Sequence, residues 1–419
     1  MENLLLMGID TRPMVNSALK LDYKTFSISY FKTVDFKMPF MEKHVLDQES
    51  VISCGRFEDN FSQEKLFELF GEILSENENS SDENDIDKIV LTTGLNASDF
   101  KGKFKKYQKI VRGNKNTEKV ENKFNLYKKL KNKFDVPLTF QPSDVDELNE
   151  ILQQYTNNQF ILKPLQGSGG LGIFLLNNES CDKNNDSNSI LQNIPYENYI
   201  LQEYVEGINV SSSVLSSHYE QKNLINTRLI TEHDLGNNSF EYSGNILPLD
   251  EDSLKMFNDN QTNFEKNNFN VNEINQEMND TSEDLIREFG LIGSNGIDYI
   301  LDKDSKLKVI EINPRLQGTY ELVENACGIN LLDAHIKACE GEIIDIPDAN
   351  QYSIKKIIYA RKQVRIGNLN IPNVYDIPYE GVKIEKDQPL VTIISSNKNL
   401  ETAIADLKIA ENEVYENID

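Results

Sequence analysis

The sequence predicts an α/β and α+β chain, with an open, mostly parallel sheet at its amino end and antiparallel hairpins beyond it. Three observations carry this. Between residues 1 and 115, short apolar runs alternate with polar turns and helical stretches, the rhythm of βα units. Further on, Phe160-Ile161-Leu162-Lys163-Pro164 and Ile173-Phe174-Leu175 bracket a turn that holds Gly167, Gly169, Gly170 and Gly172. Finally, residues 297–301 and 307–312, rich in strand-favouring types, bracket the polar cluster Asp302-Lys303-Asp304-Ser305-Lys306 and read as a β-hairpin.

At 419 residues the chain can bury a large core and divide into two or three domains. Its formal charge of −25 argues against nonspecific binding to nucleic acid or to anionic membrane. Much of that charge is local, in residues 75–85 and 177–189, which read as solvated loops. No apolar run reaches the roughly 18 residues that span a bilayer. Met1-Glu2-Asn3 ahead of Leu4-Leu5-Leu6-Met7 is too acidic and too short for a signal peptide, so the expected location is the cytoplasm. Cys54, Cys181, Cys327 and Cys339 show no C-x-x-C spacing, which predicts reduced thiols rather than a disulfide framework or a zinc site. His335 and Cys339 stand four residues apart on a predicted helix and are expected to pack in the core.

The first strand is Leu4-Leu5-Leu6-Met7-Gly8-Ile9, followed by a turn and the helical Val15-Asn16-Ser17-Ala18-Leu19. Residues 24–30 and 88–93 are the next strands. Asp10-Thr11-Arg12-Pro13 falls at the carboxyl end of the first strand, where open α/β sheets bind ligands, and suits either a small acceptor substrate or a structural loop. No G-x-G-x-x-G follows, so no dinucleotide site is inferred. Residues 118–130 read as one amphipathic helix, ended by Asp135-Val136-Pro137. Ser143 reads as the N-cap of the next helix, with Asp146 three residues on.

In the glycine-rich turn, backbone amides can approach phosphate oxygens because no side chain blocks them, and Lys163 supplies a point charge beside them. The same pattern also suits an ordinary flexible β-turn, and with Lys163 ahead of the glycines it is not a Walker A motif. Residues 199–207 form another strand running into a loop, whose main-chain groups can meet a base edge.

Pairing across the predicted hairpin sets Asp298 opposite Glu311, and alternation puts Asn313 on the same face. Opposed like charges destabilise a strand pair by a few tenths to about 1 kcal/mol, so a cation is expected there. Oxygen ligands without histidine or cysteine suit Mg²⁺ or Mn²⁺ held jointly with a substrate phosphate. The same residues also fit a solvated hairpin ahead of an Asn-Pro turn.

In order and spacing, residues 163–173, 202–207, 296–298 and 311–315 resemble the ATP-grasp superfamily of carboxylate ligases, over roughly residues 119–341. The resemblance implies the ATP-grasp fold with an N-terminal Rossmann-like, pre-ATP-grasp domain. That places the first domain at residues 1–115 and the ATP-grasp domain at 116–345, with a lid subdomain near 135–205 and a metal-binding subdomain near 206–345. A small C-terminal α/β region occupies 346–419. It further implies ATP, with Lys163 on the α and β phosphates, Gly167, Ser168, Gly169 and Gly170 closing over them, and Lys123 as a second phosphate-contacting lysine. Gln202, Glu203, Tyr204 and Val205 would frame the adenine. Asp298, Glu311 and Asn313 would hold two Mg²⁺ (or Mn²⁺) ions, and Arg315 would clamp the γ-phosphate or an acyl-phosphate, leaving Arg315 and Lys163 as the catalytic pair. Asn209 stands where many relatives carry an acid on the ribose hydroxyls, a departure that leaves an amide to make the contact.

In related ligases, residues 224–248 face the acceptor, which makes Arg228, Tyr242 and Asn245 substrate candidates. Arg228 suits either a bidentate carboxylate clamp or a strand-edge arginine. Glu232, His233 and Asp234 fit either a general base or an exposed turn. Residues 316–341 read as two helices, Gly328 ending the first and Asn330 capping the second, with Tyr320, Leu322, Val323, Leu331, Leu332 and Ile336 in the core. Strands at 354–360 and 389–394 and a helix at 400–412 follow. The run Ile377-Pro378, Gly381, Ile384 and Gln388-Pro389 is similar to the small C-terminal region of biotin-carboxylase-like members, and implies packing rather than chemistry.

The function so implied is an ATP-dependent, ADP-forming ligase that activates a carboxylate as an acyl-phosphate for attack by an amine, in small-molecule or cofactor biosynthesis. The pattern looks closest to an archaeal branch of carboligase-like ATP-grasp proteins, with links to one-carbon carriers of the methanopterin and methanofuran type. Expected partners are ATP, a small carboxylate, an amine and a second copy in a homodimer, with no nucleic acid and no membrane. A biotin-carboxylase-like bicarbonate-activating carboxylase is the first alternative, though no A-M-K-M biotinylation sequence is present. The second is a non-catalytic ATP-binding regulator, against which the joint presence of Asp298, Glu311, Asn313 and Arg315 argues.

Overall fold

The apolar run at the amino end forms β1 (Glu2–Gly8) in the computed structural model, which describes residues 1–46, 61–78, 85–167, 169–176, 191, 194–237, 239–256 and 270–418. With β2 (Tyr23–Phe31), β3 (Met41–Leu46), β4 (Lys88–Leu91) and β5 (Val111–Arg112) it builds a wholly parallel sheet of order β3-β2-β1-β4-β5. β1 is buried on both faces, which is why it reads as a continuous apolar run without alternation. Strand order reverses direction between β1 and β4, so a crevice opens at their carboxyl ends, beside Thr93. The first helix spans Arg12–Ala18, with Pro13 pre-set for its first turn, and so begins earlier than the apolar spacing predicts.

On the sheet, helix Gln63–Glu78 buries Leu66, Phe70 and Ile73 against Phe26, Ile28 and Ile89. Its last turn takes in Ser75–Glu78, which the acidic composition had assigned to a loop: the i, i+3, i+4 apolar spacing through Ile73 outweighs the charge that follows. The remaining loop expectations, at 79–84 and 177–189, lie outside the described residues.

β6 (Thr139–Phe140), β7 (Phe160–Pro164), β8 (Phe174–Leu176) and β9 (Tyr199–Glu203) form an antiparallel sheet of order β6-β9-β7-β8. Helix Val145–Gln154 covers it, with Leu148 packed among Phe160, Leu162 and Leu201. Its N-cap is Asp144, not Ser143: the Asp144 carboxylate accepts the Glu147 N–H at 2.9 Å, while Glu147 accepts the Ser143 N–H at 2.7 Å. A carboxylate at the N-cap is favoured by the helix dipole as well as by the hydrogen bond.

The largest sheet holds β10 (Gly207–Ser216), β11 (Gln221–Thr231), β12 (Tyr242–Leu247), β13 (Gly293–Asp302), β14 (Leu307–Asn313) and β15 (Tyr352–Tyr359). After the short β16 (Val364–Arg365), β17 (Val374–Tyr375) and β18 (Lys383–Ile384) comes β19 (Pro389–Asn397). Its order is β14-β13-β10-β11-β12-β15-β19-β17, so β15, β19 and β17 continue the sheet of the acidic hairpin and hydrogen bonding runs unbroken across position 345. Helix Val271–Phe289, which the sequence reading did not assign, buries Val271, Ile274, Met278, Leu285, Ile286 and Phe289 against β10 and β13. Its signals are present: Asn270 caps the start, and Gly290, in the left-handed region at φ 56°, ends it.

Helices Tyr320–Cys327 and Leu331–Cys339 are divided as expected by Gly328 (φ 68°) and capped by Asn330, which accepts the Asp333 N–H at 2.9 Å. His335 is buried within the second, and Cys327 and Cys339 are free thiols; Cys54 and Cys181 lie outside the described residues. Helix Leu400–Glu416 packs on β15 and β19. No helix among the described residues is long and apolar enough to cross a membrane.

Candidate active site

The acidic hairpin forms, and Asp298 faces Glu311 across it. Asp298 accepts hydrogen bonds from Ser211 Oγ at 2.6 Å and from Asn313 Nδ2 at 2.9 Å, so two carboxylates and the amide converge on one face. Burial, and Glu311 beside it, push Asp298 up to about 7. Burial acts on Glu311 in the same sense, but Lys123 and Lys163 override it and hold Glu311 down to about 2. The pairing skips a residue between Asp298 and Tyr299, leaving Ile310 as the extra residue of a β-bulge, and Ile310 lines a cavity of ≈ 380 Å³.

Lys123 reaches that cavity because the helix predicted over 118–130 is broken. Asn122 is extended (φ −76°, ψ 106°) and separates Glu118–Glu121 from Lys123–Leu130, and its side chain caps the second helix through the Asn125 N–H at 2.9 Å. An asparagine at an N-cap competes with helical continuation for its own backbone. The Lys123 N–H then bonds Leu165 O at 3.2 Å, and its ammonium lies 3.1 Å from Gly167 O and 3.4 Å from Glu311 Oε2.

Lys163, on β7, is 3% exposed, and its ammonium has no hydrogen bond or ion pair among the described residues. It lines the cavity beside Gly167, Gly169 and Gly170; Ser168 lies outside the described residues. Burial, and the nearby Lys123, push the Lys163 ammonium down to about 7. An incoming polyanion restores that charge. At Gly170 (φ 76°) a Cβ would come within 1.9 Å of Phe240 O, so only glycine lets this turn dock there, and Gly169 O accepts the Tyr242 N–H at 2.9 Å.

Gln202, Glu203, Tyr204 and Val205 line the far part of the cavity. The Glu203 and Tyr204 N–H groups are engaged by Leu138 O and Gln159 O, both at 2.8 Å, and the Glu203 carboxylate accepts from Asn158 Nδ2 at 2.8 Å. Val205 N–H has no partner among the described residues and is an open donor for a base edge. Ile161, Leu229 and Ile300 add apolar walls that no motif marked, since each is an ordinary strand residue in sequence.

The cavity is also lined by Tyr242, Asn245 and Arg315, together with Thr93 and Gln317, which no motif marks. The Tyr242 hydroxyl is bonded to Asn245 Oδ1, and Asn245 Nδ2 donates to Thr227 Oγ1 at 3.0 Å. The Arg315 guanidinium has no ion pair among the described residues.

Two expectations are corrected, those for Arg228 and for residues 232–234, and of the two readings of residues 10–13 the structural one holds. Arg228 does not line the cavity: it is 1% exposed and its guanidinium is turned to Asp234 at 3.2 Å and to Asn209 O at 2.9 Å. Nor do Asp10 and Arg12 line it. Arg12, 1% exposed, is gripped by Glu321 through bonds of 2.8 and 2.7 Å and by Asp376 at 2.5 Å. The 232–234 stretch is no exposed turn, because Asp234 accepts from Thr231 N–H and Oγ1 at 2.8 Å and His233 stacks on Phe240 at 5.0 Å.

Among the described residues no group of three or more His, Cys, Asp and Glu is set to hold a metal ion. Asp298, Glu311 and Asn313 supply two carboxylates and an amide, a hard-oxygen set that leaves positions for phosphate and water and so fits Mg²⁺. The raised Asp298 is consistent with that fit, since two facing acids ionise together readily only with a cation between them.

Residues 120–319 match the family described as the ATP-grasp domain. Over 416 residues the chain is 29% identical to an uncharacterized protein of Methanocaldococcus jannaschii, covering 98% of this chain and 91% of that one. Among solved structures it is similar to the biotin carboxylase domain dimer of the Hydrogenobacter thermophilus 2-oxoglutarate carboxylase, in complex with MgADP, ADP and bicarbonate. That likeness has a TM-score of 0.70 at 16% identity and covers 98% of this chain and 89% of that one. An L-amino acid ligase from Bacillus licheniformis is similar at a TM-score of 0.64 and 15% identity, over 99% of this chain and 98% of the other.

Proposed function

We propose, on the match of residues 120–319 to the ATP-grasp domain and on the likeness in fold, that the chain is an ATP-grasp carboxylate–amine ligase that forms ADP. The observation that carries this reading is Lys163: a buried ammonium without a partner among the described residues, facing a glycine-rich turn and an acidic hairpin across one cavity. A nucleoside triphosphate answers each of these features. Its phosphates meet Lys163, Lys123 and the amides of Gly167, Gly169 and Gly170, while its base edge meets the Val205 N–H between Ile161, Leu229 and Ile300. Asp298, Glu311 and Asn313 would hold Mg²⁺ or Mn²⁺, two ions in this reading, which supply charge neutralisation to the triphosphate.

Phosphoryl transfer asks chiefly for positioning and charge, and needs no nucleophilic side chain from the protein. An oxygen of the substrate carboxylate attacks the γ-phosphorus, the bond to the β–γ bridging oxygen breaks, and ADP leaves with that electron pair. The amine nitrogen then attacks the acyl carbon, phosphate departs, and the amine proton passes to solvent or to phosphate. In this reading Arg315, which lines the cavity, holds the γ-phosphate and then the acyl-phosphate, and Tyr242, Asn245 and Gln317, also in its lining, face the acceptor. The likeness in fold to an L-amino acid ligase and to a biotin carboxylase domain bound to MgADP and bicarbonate supports the ligase reading. A homodimer, the form of the Hydrogenobacter domain, belongs to the same proposal and is checked by sedimentation.

The test is ADP release by the purified protein with ATP, Mg²⁺ and a cytosolic metabolite extract, with the product identified by mass spectrometry. ADP release that requires both a carboxylate and an amine is expected, the product serving small-molecule or cofactor biosynthesis such as that of one-carbon carriers. ADP release with bicarbonate alone would replace the ligase by a carboxylase. Tight ATP binding without turnover would replace it by a regulator.

A further inference from the structure

Two neighbouring lysines on β15 are placed in opposite senses. Lys356 bonds both carboxylate oxygens of Glu411, on helix Leu400–Glu416, at 2.7 Å, whereas Lys355 makes no ion pair among the described residues and reaches Gly318 O at 3.2 Å. We propose that Lys355 holds a second anionic group of the substrate, a carboxylate or a phosphate, while Arg315 faces the carboxylate that is activated. The ligase would then take acids with two anionic groups in preference to simple monocarboxylates, a proposal that rests on the ligase reading above.

Strand register places the lysine. In the antiparallel pair of β12 and β15, Asn245 stands opposite Lys355, so the two side chains share one face of the sheet, and Asn245 lines the cavity. The strands approach closely there: a Cβ at Gly244 would lie 1.9 Å from Lys355 O, a spacing that glycine permits. The other face of β15 is taken up by packing, with Ile354 and Ile358 buried in one cluster with Ala403 and Leu407 of helix Leu400–Glu416.

The carbonyl that Lys355 reaches belongs to the cavity wall. Gly318 follows Arg315 by three residues, and both line the cavity with Tyr242 and Asn245. The Tyr242 hydroxyl bonds Asn245 Oδ1 and lies against Gly318, where a Cβ would meet it at 3.2 Å. Three residues span at most about 11 Å, so Lys355 at the edge of this wall and Arg315 within it bracket a space the length of a small molecule.

Charge and hydrogen-bond capacity agree with that placement. An ammonium has three donors; Gly318 O uses one, and no other acceptor among the described residues takes the remaining two. Asp376 is a nearby acid. Burial pushes its carboxyl up, but Arg12 and Lys355 override burial and hold it below the usual carboxylate range. Its contact goes to Arg12, at 2.5 Å, which leaves Lys355 without a carboxylate of its own. The lining residues beside Gly318, namely Tyr242, Asn245, Gln317 and Thr319, carry no charge, so nothing in that part of the wall repels a second anion.

The test is calorimetric titration of the full-length protein, loaded with Mg²⁺ and the non-hydrolysable β,γ-imido-ATP. The ligands are succinate, glutarate and 3-phosphonopropionate, each set against its single-anion counterpart: butyrate, valerate and propionate. In at least one pair the second anion is expected to tighten binding at least about tenfold, the size of one hydrogen bond to a charged group. The pair in which it does so tells carboxylate from phosphate. Lys355→Met is expected to bring the tightened acid down to the level of its counterpart, and Lys355→Arg to restore most of the difference; a lysine that only straps Gly318 O would weaken both members of a pair alike. The series on the unaltered protein needs no folded variant. No acid gaining tenfold from its second anion, a gain that survives in Lys355→Met, or equal loss in both members of a pair overturns the proposal and leaves the ligase reading standing. Failure of β,γ-imido-ATP to bind overturns the ATP reading, and this proposal with it.

Discussion

Asp298 faces Glu311 although the turn that joins their strands would set it against Ile310. From Leu301↔Leu307 to Tyr299↔Val309 the hairpin keeps one register, and the bulge at Ile310 shifts it by one residue, so that Asp298 meets Glu311 and Gly296 meets Asn313. One extra residue converts an apolar neighbour into a second carboxylate and turns Ile310 into the cavity.

Glu311→Gln is therefore expected to lower the rate of ADP release at least about a hundredfold, or about 2.7 kcal/mol of transition-state stabilisation. In EDTA the melting midpoint should fall, since Lys123 and Lys163 lose the carboxylate that they hold ionised. Mg²⁺ should raise the midpoint of the unaltered protein but not of the variant. A midpoint raised equally in both places the ion elsewhere.

Lys123 bridges the glycine-rich turn and the acidic hairpin, at 3.1 Å from Gly167 O and 3.4 Å from Glu311. Lys123→Met is expected to raise the KM for ATP about tenfold or more, the value of one charge-assisted contact. Steady-state kinetics at saturating acceptor measure it; an unchanged KM means that the lysine serves the helix rather than the phosphates.

His335 is held neutral inside the fold. Its Nδ1 accepts the Ser294 N–H at 2.8 Å, which leaves Nε2 to donate to Arg112 O at 3.0 Å. Burial pushes it down to about 4, whereas the unfolded chain protonates it near 6.5. Between those values the unfolded state binds more protons, so the contribution of this imidazole is complete above about pH 6.5 and is lost as the pH falls toward 4, on the order of 3 kcal/mol. Urea midpoints across pH 4–7 should show that slope, and His335→Gln should flatten it.

Arg12 joins the amino-terminal sheet to Glu321 and to Asp376, with Asp35 at 3.4 Å. Removing the cation strands several carboxylates. Arg12→Met is expected to cost on the order of 3 kcal/mol of unfolding free energy. The loss should be smaller at pH 5 than at pH 8, because Asp10, pushed up to about 7 by burial and by Asp376, is protonated at the lower pH. Denaturant titrations at both values decide it, and equal losses would mean that packing rather than charge is what the arginine supplies.

Local chemistry made much of this protein legible in one dimension. The apolar run of β1, the caps at Gly328 and Asn330, the glycine-rich turn and the existence of the acidic hairpin each depend on residues close in the chain, whose propensities and alternation act over a few positions. Helix Val271–Phe289 is equally legible in its apolar spacing and in its caps, Asn270 and Gly290. What pattern could not supply is the partner of each charged group. Arg228 and Arg12 look alike in sequence to an arginine that binds substrate. Long-range packing sends them instead to Asp234, Glu321 and Asp376, because a guanidinium taken out of water must find a carboxylate wherever the fold brings one. Lys163 and Arg315 line the cavity without such partners among the described residues, and are the cations that the proposed function gives to the phosphates.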